Sequence, residues 1–275
     1  MFRRERLMRA VLWGCLGLGS IAMVLPFYWM VLTSLKSKSE IVRIPPSFFP
    51  ESLTLANYAE AWDRLEFPIL LRNSVFLSTA MTALVLLSSA MVGYVFAKIE
   101  FPGRNVLFVL ILSSMMIPFN VVMIPLFLLI VRLKWANSYW GIIAPGAFSS
   151  FGIFLMRQVM GALPDELLDA ARIDGAGEFK IFFRVVLPLS SSPLAALGIL
   201  TFMGQWDSFL WPLIVLTRAD LFTLPVGLAL FSNRFYTEYG PLLAGSTISV
   251  IPILALFLSA QSFFMESIAL QGMKL

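Results

Sequence analysis

Four carboxylates, Asp165, Glu166, Asp169 and Asp174, stand close together in a chain that is otherwise poor in charge. They belong to the segment Leu163-Pro-Asp-Glu-Leu-Leu-Asp-Ala-Ala-Arg-Ile-Asp-Gly-Ala-Gly-Glu-Phe-Lys-Ile-Phe-Phe-Arg-Val-Val-Leu-Pro188. Elsewhere the chemistry is thin. The chain has no histidine, which removes the commonest metal ligand and the usual general base, and so excludes a Ser-His-Asp triad. One cysteine, Cys15, allows neither an internal disulfide nor a thiolate metal cage. No phosphate-binding loop, nucleophile elbow or calcium loop occurs, and the glycine-lysine stretch Gly175 to Lys180 lacks the spacing of a Walker motif. Asp207 is the only acid in the hydrophobic stretch running to Leu216. An acid in an apolar span is a functional candidate, because placing it there costs at least about 2.5 kcal/mol. Trp206, Ser208 and Trp211 flank it, and Asn120 stands between Pro118 and Pro125 in another apolar run.

The elements that carry these residues are membrane spans. Of 275 residues, 59% are hydrophobic and 13% charged, against about 25% charged in soluble domains. The mean hydropathy is +0.86. Six long uncharged runs occur, at 10–35, 73–97, 105–131, 135–156, 185–206 and 239–265, and the shortest holds 22 residues. About 20 residues suffice to cross the bilayer, so an all-α integral membrane fold with six transmembrane helices is expected. The fifth span extends over about 190–216. A seventh run, 221–233, contains Pro225 and Gly227 and is too short to cross, so it reads as an interfacial or re-entrant piece.

Arg3, Arg4, Arg6 and Arg9 crowd the start of the sequence and predict a cytoplasmic tail at 1–9. With six spans the other end returns to the cytoplasm. The first apolar run is about twice the usual 7–15 residues of a signal peptide and lacks a small-x-small cleavage site, so it is read as a retained span. The net charge of +4 fits basic membrane edges rather than nucleic-acid binding. Trp13, Trp29, Trp135, Trp140, Trp206 and Trp211 fall near span ends, as an aromatic belt does. No internal repeat is visible. Residues 10–275 read as a single transmembrane domain whose longest loop, about 36–72, folds over the outer face.

Between spans four and five, about 162–188, the acidic segment forms a helix–turn–helix. Pro164 suits a helix start, and Asp165 and Glu166 suit its positive end. Leu167, Ala170, Ala171 and Asp174 share one face by their spacing, and the small residues at its centre let another surface approach closely. Gly175 stands where a left-handed residue ends the helix. Phe179, Phe182, Phe183 and Val186 then repeat the helical spacing, with Lys180 and Arg184 on another face. By periodicity alone the segment is equally an ordinary amphipathic loop.

The pattern Asp169-Ala-Ala-x-x-Asp174-Gly-Ala176-(x)5-Phe182-x-x-Val185-x-x-Pro188 resembles the EAA loop of ABC-importer permeases. Met116-Ile-Pro-(x)5-Ile-Pro-Leu, Ser138-Tyr-Trp-Gly, Phe151-Gly-Ile-Phe-Leu-Met-Arg-Gln158, Phe209-Leu-Trp-Pro-Leu-Ile-Val215 and Thr223-Leu-Pro-Val-Gly-Leu228 are similar to the maltose-type carbohydrate-importer permeases. The resemblance runs from the first span nearly to the last residues. Two features depart from the pattern. Asp169 replaces the usual first Glu, and the tail from Glu266 lacks the usual glycine-rich ending.

The resemblance implies a permease subunit of the cell inner membrane with no catalysis of its own. It implies a second permease subunit making a heterodimer, two ABC ATPase subunits that hold ATP and magnesium, and an extracytoplasmic solute-binding protein. No cofactor or metal is expected in this chain, nor any partner beyond these and membrane lipid. Leu167, Asp169, Ala170, Ala171, Asp174, Gly175, Ala176, Phe182 and Pro188 would couple to the ATPase. Asp169 would meet a basic group there, and the two alanines would permit close docking. Trp206, Asp207, Ser208, Trp211 and Asn120 are candidates for a solute pathway, their aromatic and polar groups suiting a sugar or polyol. Asn120 and Gln261 also read as satisfying backbone or packing hydrogen bonds. An ion-coupled secondary carrier is the alternative. It calls for paired intramembrane charges and inverted repeats, which the sequence does not display.

Overall fold

The computed structural model describes residues 2–64, 66–232 and 237–272, with side chains over 8–9, 11–64, 66–232 and 237–259. The side chains of Arg3, Arg4, Arg6 and Gln261 and of the tail from Glu266 lie outside the described residues. In chain order the helices are α1 (Phe2–Ser34), α2 (Lys38–Ile41), α3 (Ala56–Arg64), α4 (Phe67–Lys98), α5 (Arg104–Ser114), α6 (Phe119–Arg132), α7 (Trp140–Gly146) and α8 (Ser150–Gly161). They continue as α9 (Asp165–Ile173), α10 (Glu178–Ile181), a π-turn (Phe182–Val186), α11 (Leu187–Leu189), α12 (Ser191–Trp206), α13 (Leu210–Val215), a 3₁₀ turn (Ala219–Leu221), α14 (Leu224–Ala229) and α15 (Tyr239–Gly272). No strand is present among the described residues beyond one bridge, Ser232 to Thr237.

Four stretches are each long and apolar enough to cross a bilayer: Val11–Ser34, Phe67–Lys98, Trp140–Gly161 and Tyr239–Ser259. Two bent pairs bring the number to six: α5 with α6, bent by 98°, and Glu178–Leu189 with α12, bent by 79°. The first bend has a cause in the sequence. Pro118 has extended backbone (φ −60°, ψ 135°) and pushes the residue before it out of helical geometry. The helix expected over 190–216 is likewise not continuous. It ends at Trp206 and resumes at Leu210, with Pro212 inside the first turn of α13, where a missing N–H costs nothing.

The chain forms two compact units, Met1–Pro68 with Gly227–Pro252, and Ile69–Val226 with Ile253–Leu275. In the first, Asn57 is buried and its amide donates to the carbonyls of Ser34 and Lys36, both at 2.8 Å. Arg64 pairs with Glu60 and Glu238, and its guanidinium lies over the Phe231 ring.

The second unit holds the larger core. Ala90 and Tyr94 of α4, Met156 and Met160 of α8, Leu168 of α9, Ile181, Phe182, Val186 and Leu197 of α12 form one cluster. Leu77, Met81, Ile130, Ile142, Trp211 and Val215 belong to another. Small residues bring α4 and α8 together. A Cβ on Gly93 would lie 2.7 Å from Met156 Cβ, and one on Gly152 would strike Ser89 Oγ. Such approaches suit helices packing in lipid, where dispersion rather than water release holds them. Arg157 stitches the same region, donating to the Phe96 carbonyl at 3.2 Å and lying 3.7 Å over the Phe108 ring.

Candidate functional site

The acidic segment folds as α9, a left-handed turn and α10. Pro164 caps the start with extended backbone, and Asp165 and Glu166 occupy the first turn, where they complement the helix dipole. Asp174 ends the helix, and Gly175 follows with φ +77°. Only glycine takes that conformation without steric cost, so the reversal between the two helices is set by this residue.

Two buried anchors fix α9 to the end of α4. Lys98, only 5% exposed, donates from Nζ to the Leu163 carbonyl and to Asp165 Oδ1, both at 2.6 Å. Tyr94, buried in the core, donates its hydroxyl to Glu178 Oε2 at 2.5 Å. Glu178 Oε1 accepts in turn from Arg172 Nε at 3.1 Å, and Arg172 Nη1 donates to Asp169 Oδ1 at 2.8 Å. The chain Tyr94–Glu178–Arg172–Asp169 thus runs from the core of a long span to the surface of α9. The Tyr94 hydroxyl and then Arg172 hold the Glu178 carboxyl below its ordinary value, and the Lys98 ammonium does the same for Asp165.

The face of α9 that meets the outside differs from the expected one. Leu168 is 1% exposed, and Ala171 packs beside it against the core. Leu167, Ala170 and Asp174 are exposed as expected, but the fourth contributor is Ile173 in place of Ala171, at 86% exposed. Ala171 therefore faces inward. Leu168 and Ala171 are three residues apart, so turning one into the core turns both, and Asp169, Ala170 and Ile173 come to the surface. Ala176 also packs against the core cluster.

In the second helix Phe182 and Val186 are buried, while Phe179 and Phe183 are exposed. Each pair is four residues apart, so Phe182 and Val186 share one face and Phe179 and Phe183 another; a π-turn spans Phe182–Val186. Lys180 and Arg184 are exposed. Pro188 lies in α11, just before the bend at Ser190. A signal for the anchors was present in the sequence only as Lys98 and Tyr94 near a span end, with nothing to pair them to residues far along the chain.

The remaining candidates gather at the two helix breaks. Asn120, near the middle of the uncharged run 105–131, is exposed in the first turn of α6, directly after the bend at 115–118. Asp207 caps α12 and is exposed, with Ser208 partly so. Phe119 meets Trp211 edge to face, centroids 5.6 Å apart, and so brings one break against the other. Trp211 and Trp206 are not belt residues. Trp211 packs in the core and donates Nε1–H to the Gly141 carbonyl at 3.2 Å, and Trp206 is buried and stacked on Phe202. Trp13 and Trp140, by contrast, are largely exposed. Asn120, Asp207 and Ser208 are the polar groups of the candidate set at these two breaks.

Residues 89–267 match the family model described as the binding-protein-dependent transport system inner membrane component. Over 254 residues the chain is 41% identical to the arabinooligosaccharides transport system permease protein AraQ of Halalkalibacterium halodurans, covering 91% of each. It is 34% identical over 263 residues to the lactose transport system permease protein LacG of Rhizobium radiobacter, covering 96% of each. Its fold matches a chain of a bacterial ABC transporter involved in the import of the acidic polysaccharide alginate. There the TM-score is 0.85 at 24% identity, covering 95% of this chain and 98% of that one.

Proposed function

The chain belongs to the family of binding-protein-dependent transport system inner membrane components, and from that premise we propose that it forms half the translocation pathway of an ATP-driven sugar importer. Relatives named for arabinooligosaccharide and lactose transport support a sugar, and others named for sn-glycerol-3-phosphate transport support a related polyol-type solute. A second permease completes the pathway, two ATPase subunits bind ATP and magnesium, and an external binding protein delivers the solute. The basic start of the sequence supports cytoplasmic termini.

The observation that carries this reading is the anchoring of α9. A helix docked on a moving ATPase transmits force only if it is rigid toward its own bundle. Lys98 and the Tyr94–Glu178–Arg172 chain provide that rigidity, joining α9 directly to the span-length α4. Leu167, Ala170, Ile173 and Asp174 remain exposed, an apolar and acidic surface suited to a cleft with basic rims. ATP-driven closure then biases a rigid-body switch between two states of the permease pair. Asp169, held by Arg172, presents its charge in a fixed place. At the other end of the pathway, Asp207, Ser208 and Asn120 at the breaks offer polar groups to the solute.

The test is a cross-link. In the assembled importer, with Cys15 replaced by Ser, Ile173→Cys should join to the ATPase through a short bifunctional thiol reagent, and Lys180→Cys should do so less. Failure of Ile173→Cys to cross-link in every nucleotide state removes α9 from the interface.

A further inference from the structure

The first unit contains a cavity of about 210 Å³ lined by the end of α1, by α2 and by the start of α15. Trp29, Thr33, Lys36, Glu40, Pro46 and Tyr239 line it. Three of these are polar side chains more than nine-tenths buried: Thr33 (6% exposed), Lys36 (2%) and Glu40 (6%). Lys36 Nζ donates to the Ser47 carbonyl at 2.5 Å and lies 4.7 Å above the Trp29 ring. Glu40 Oε1 accepts from Ser47 Oγ at 2.7 Å and from the Glu51 N–H at 3.0 Å. The other carboxylate oxygen, Oε2, and the Thr33 hydroxyl are buried without a partner.

A buried carboxylate oxygen and hydroxyl left unmet carry a full desolvation cost, so whatever fills this cavity must bring hydrogen bonds. The lining states what kind. Glu40 Oε2 needs a donor. The Lys36 ammonium has three donors, of which Ser47 takes one, and it needs acceptors. Thr33 serves either way. The charges of Lys36 and Glu40 offset each other, so an ion of either sign gains little. The aromatic rings of Trp29 and Tyr239 supply apolar surface beside these groups. A neutral ring bearing several hydroxyls, each both donor and acceptor, answers all of these requirements at once. The volume accommodates one such ring, or about seven waters at roughly 30 Å³ each.

We propose that this cavity is a subsite for a single neutral sugar unit, with Glu40 Oε2, Thr33 Oγ1 and Lys36 Nζ as its hydroxyl partners. It uses none of the residues at the helix breaks, and it rests on the carbohydrate reading given above. Two substitutions isolate it. Glu40→Gln retains Oε1 and its bonds to Ser47 and Glu51 while changing the unpartnered oxygen to an amide nitrogen. Thr33→Val keeps the shape and removes the hydroxyl.

The experiment uses the complete importer in nanodiscs without binding protein, with L-arabinose and methyl β-D-galactoside as probes in saturation-transfer NMR. At least one probe should receive saturation from the unmodified complex, and its Kd should weaken about tenfold in each variant. Co-elution of all subunits establishes assembly, and if Glu40→Gln does not assemble, Thr33→Val decides. No transfer to either probe in the unmodified complex, or equal Kd in the assembled variants, overturns the subsite and leaves a water-filled cavity. ATP hydrolysis stimulated by the loaded binding protein, measured on the same samples, tests the importer reading separately. Its absence with variant-sensitive NMR binding strikes that reading alone.

Discussion

Gly175 offers the cleanest perturbation, because its surroundings separate backbone strain from packing. Its φ is +77°, and a Cβ built there meets nothing within 4 Å. Any loss on substitution is therefore conformational. A left-handed residue with a Cβ costs roughly 1–2 kcal/mol, Asn costs less, and a β-branched residue costs more. One to two kcal/mol shifts the equilibrium between formed and unformed turn by a factor of about 5–30. The order of retained uptake should be Gly, Asn, Ala, Val, with Val close to inactive. The assay is uptake and ATP hydrolysis in proteoliposomes containing the second permease, the ATPase and the binding protein, normalised to assembled complex. Hydrolysis without proportionate uptake in Gly175→Val would mark lost transmission. Two results would refute the reasoning. Wild-type uptake by Gly175→Val would mean the turn does not matter, and equal loss in Asn and Val would mean the glycine is needed for close contact instead.

Asp169→Lys should uncouple far more than Asp169→Glu, since it reverses the charge on α9 and repels Arg172, its partner at 2.8 Å; ATP hydrolysis per solute transported measures it. Glu178 and Asp165 titrate below their ordinary values, so their contribution is complete above the unfolded carboxylate pKa of about 4 and is lost as pH falls through the folded values. Hydrogen-exchange protection of α9 should accordingly hold from pH 8 to 5 and decline below about 4, and Tyr94→Phe should lessen the Glu178 part of that decline. Gly93→Leu should cost several kcal/mol through overpacking against Met156 and reduce the folded yield, read as monodisperse protein in detergent. Asp207→Ala should lower uptake or alter solute preference without loss of assembly, and a Cys at 207 in a Cys15→Ser background should react with a polar thiol reagent in a nucleotide-dependent way. Uniform reactivity together with normal transport by the Ala variant would remove Asp207 from the pathway.

The spans were legible because charge is a strong marker against lipid: α4 ends at Lys98, one residue past its uncharged run, and α15 starts at Tyr239, where its run starts. Gly175 was legible too, since few residues other than glycine suit the end of a helix that must reverse. Hydropathy does not report direction, however, so the bends at 115–118 and at Ser190 lie hidden inside the uncharged runs 105–131 and 185–206. Periodicity finds a face without saying which way it points. Leu167 and Leu168 are adjacent leucines, and only the packing of Leu168 against Met156 and Met160 decides that Ala171 turns inward and Ile173 outward. The tryptophans misled for a related reason. Trp206 and Trp211 stand beside chain breaks, as belt residues do, but the breaks fold them into the core. Nothing in the sequence marks Lys36 and Glu40 as buried; their burial comes from the bonds to Ser47 and Glu51.

If α9 is the coupling helix, this chain moves solute only when an ATPase drives it. Uptake of a radiolabelled oligosaccharide into proteoliposomes tests it most directly, comparing the complete importer supplied with ATP against the chain alone under an imposed proton or sodium gradient. The complete importer should take up the oligosaccharide, Asp169→Lys should abolish that uptake, and the chain alone should show none. Gradient-driven uptake by the chain alone would instead mark a secondary carrier.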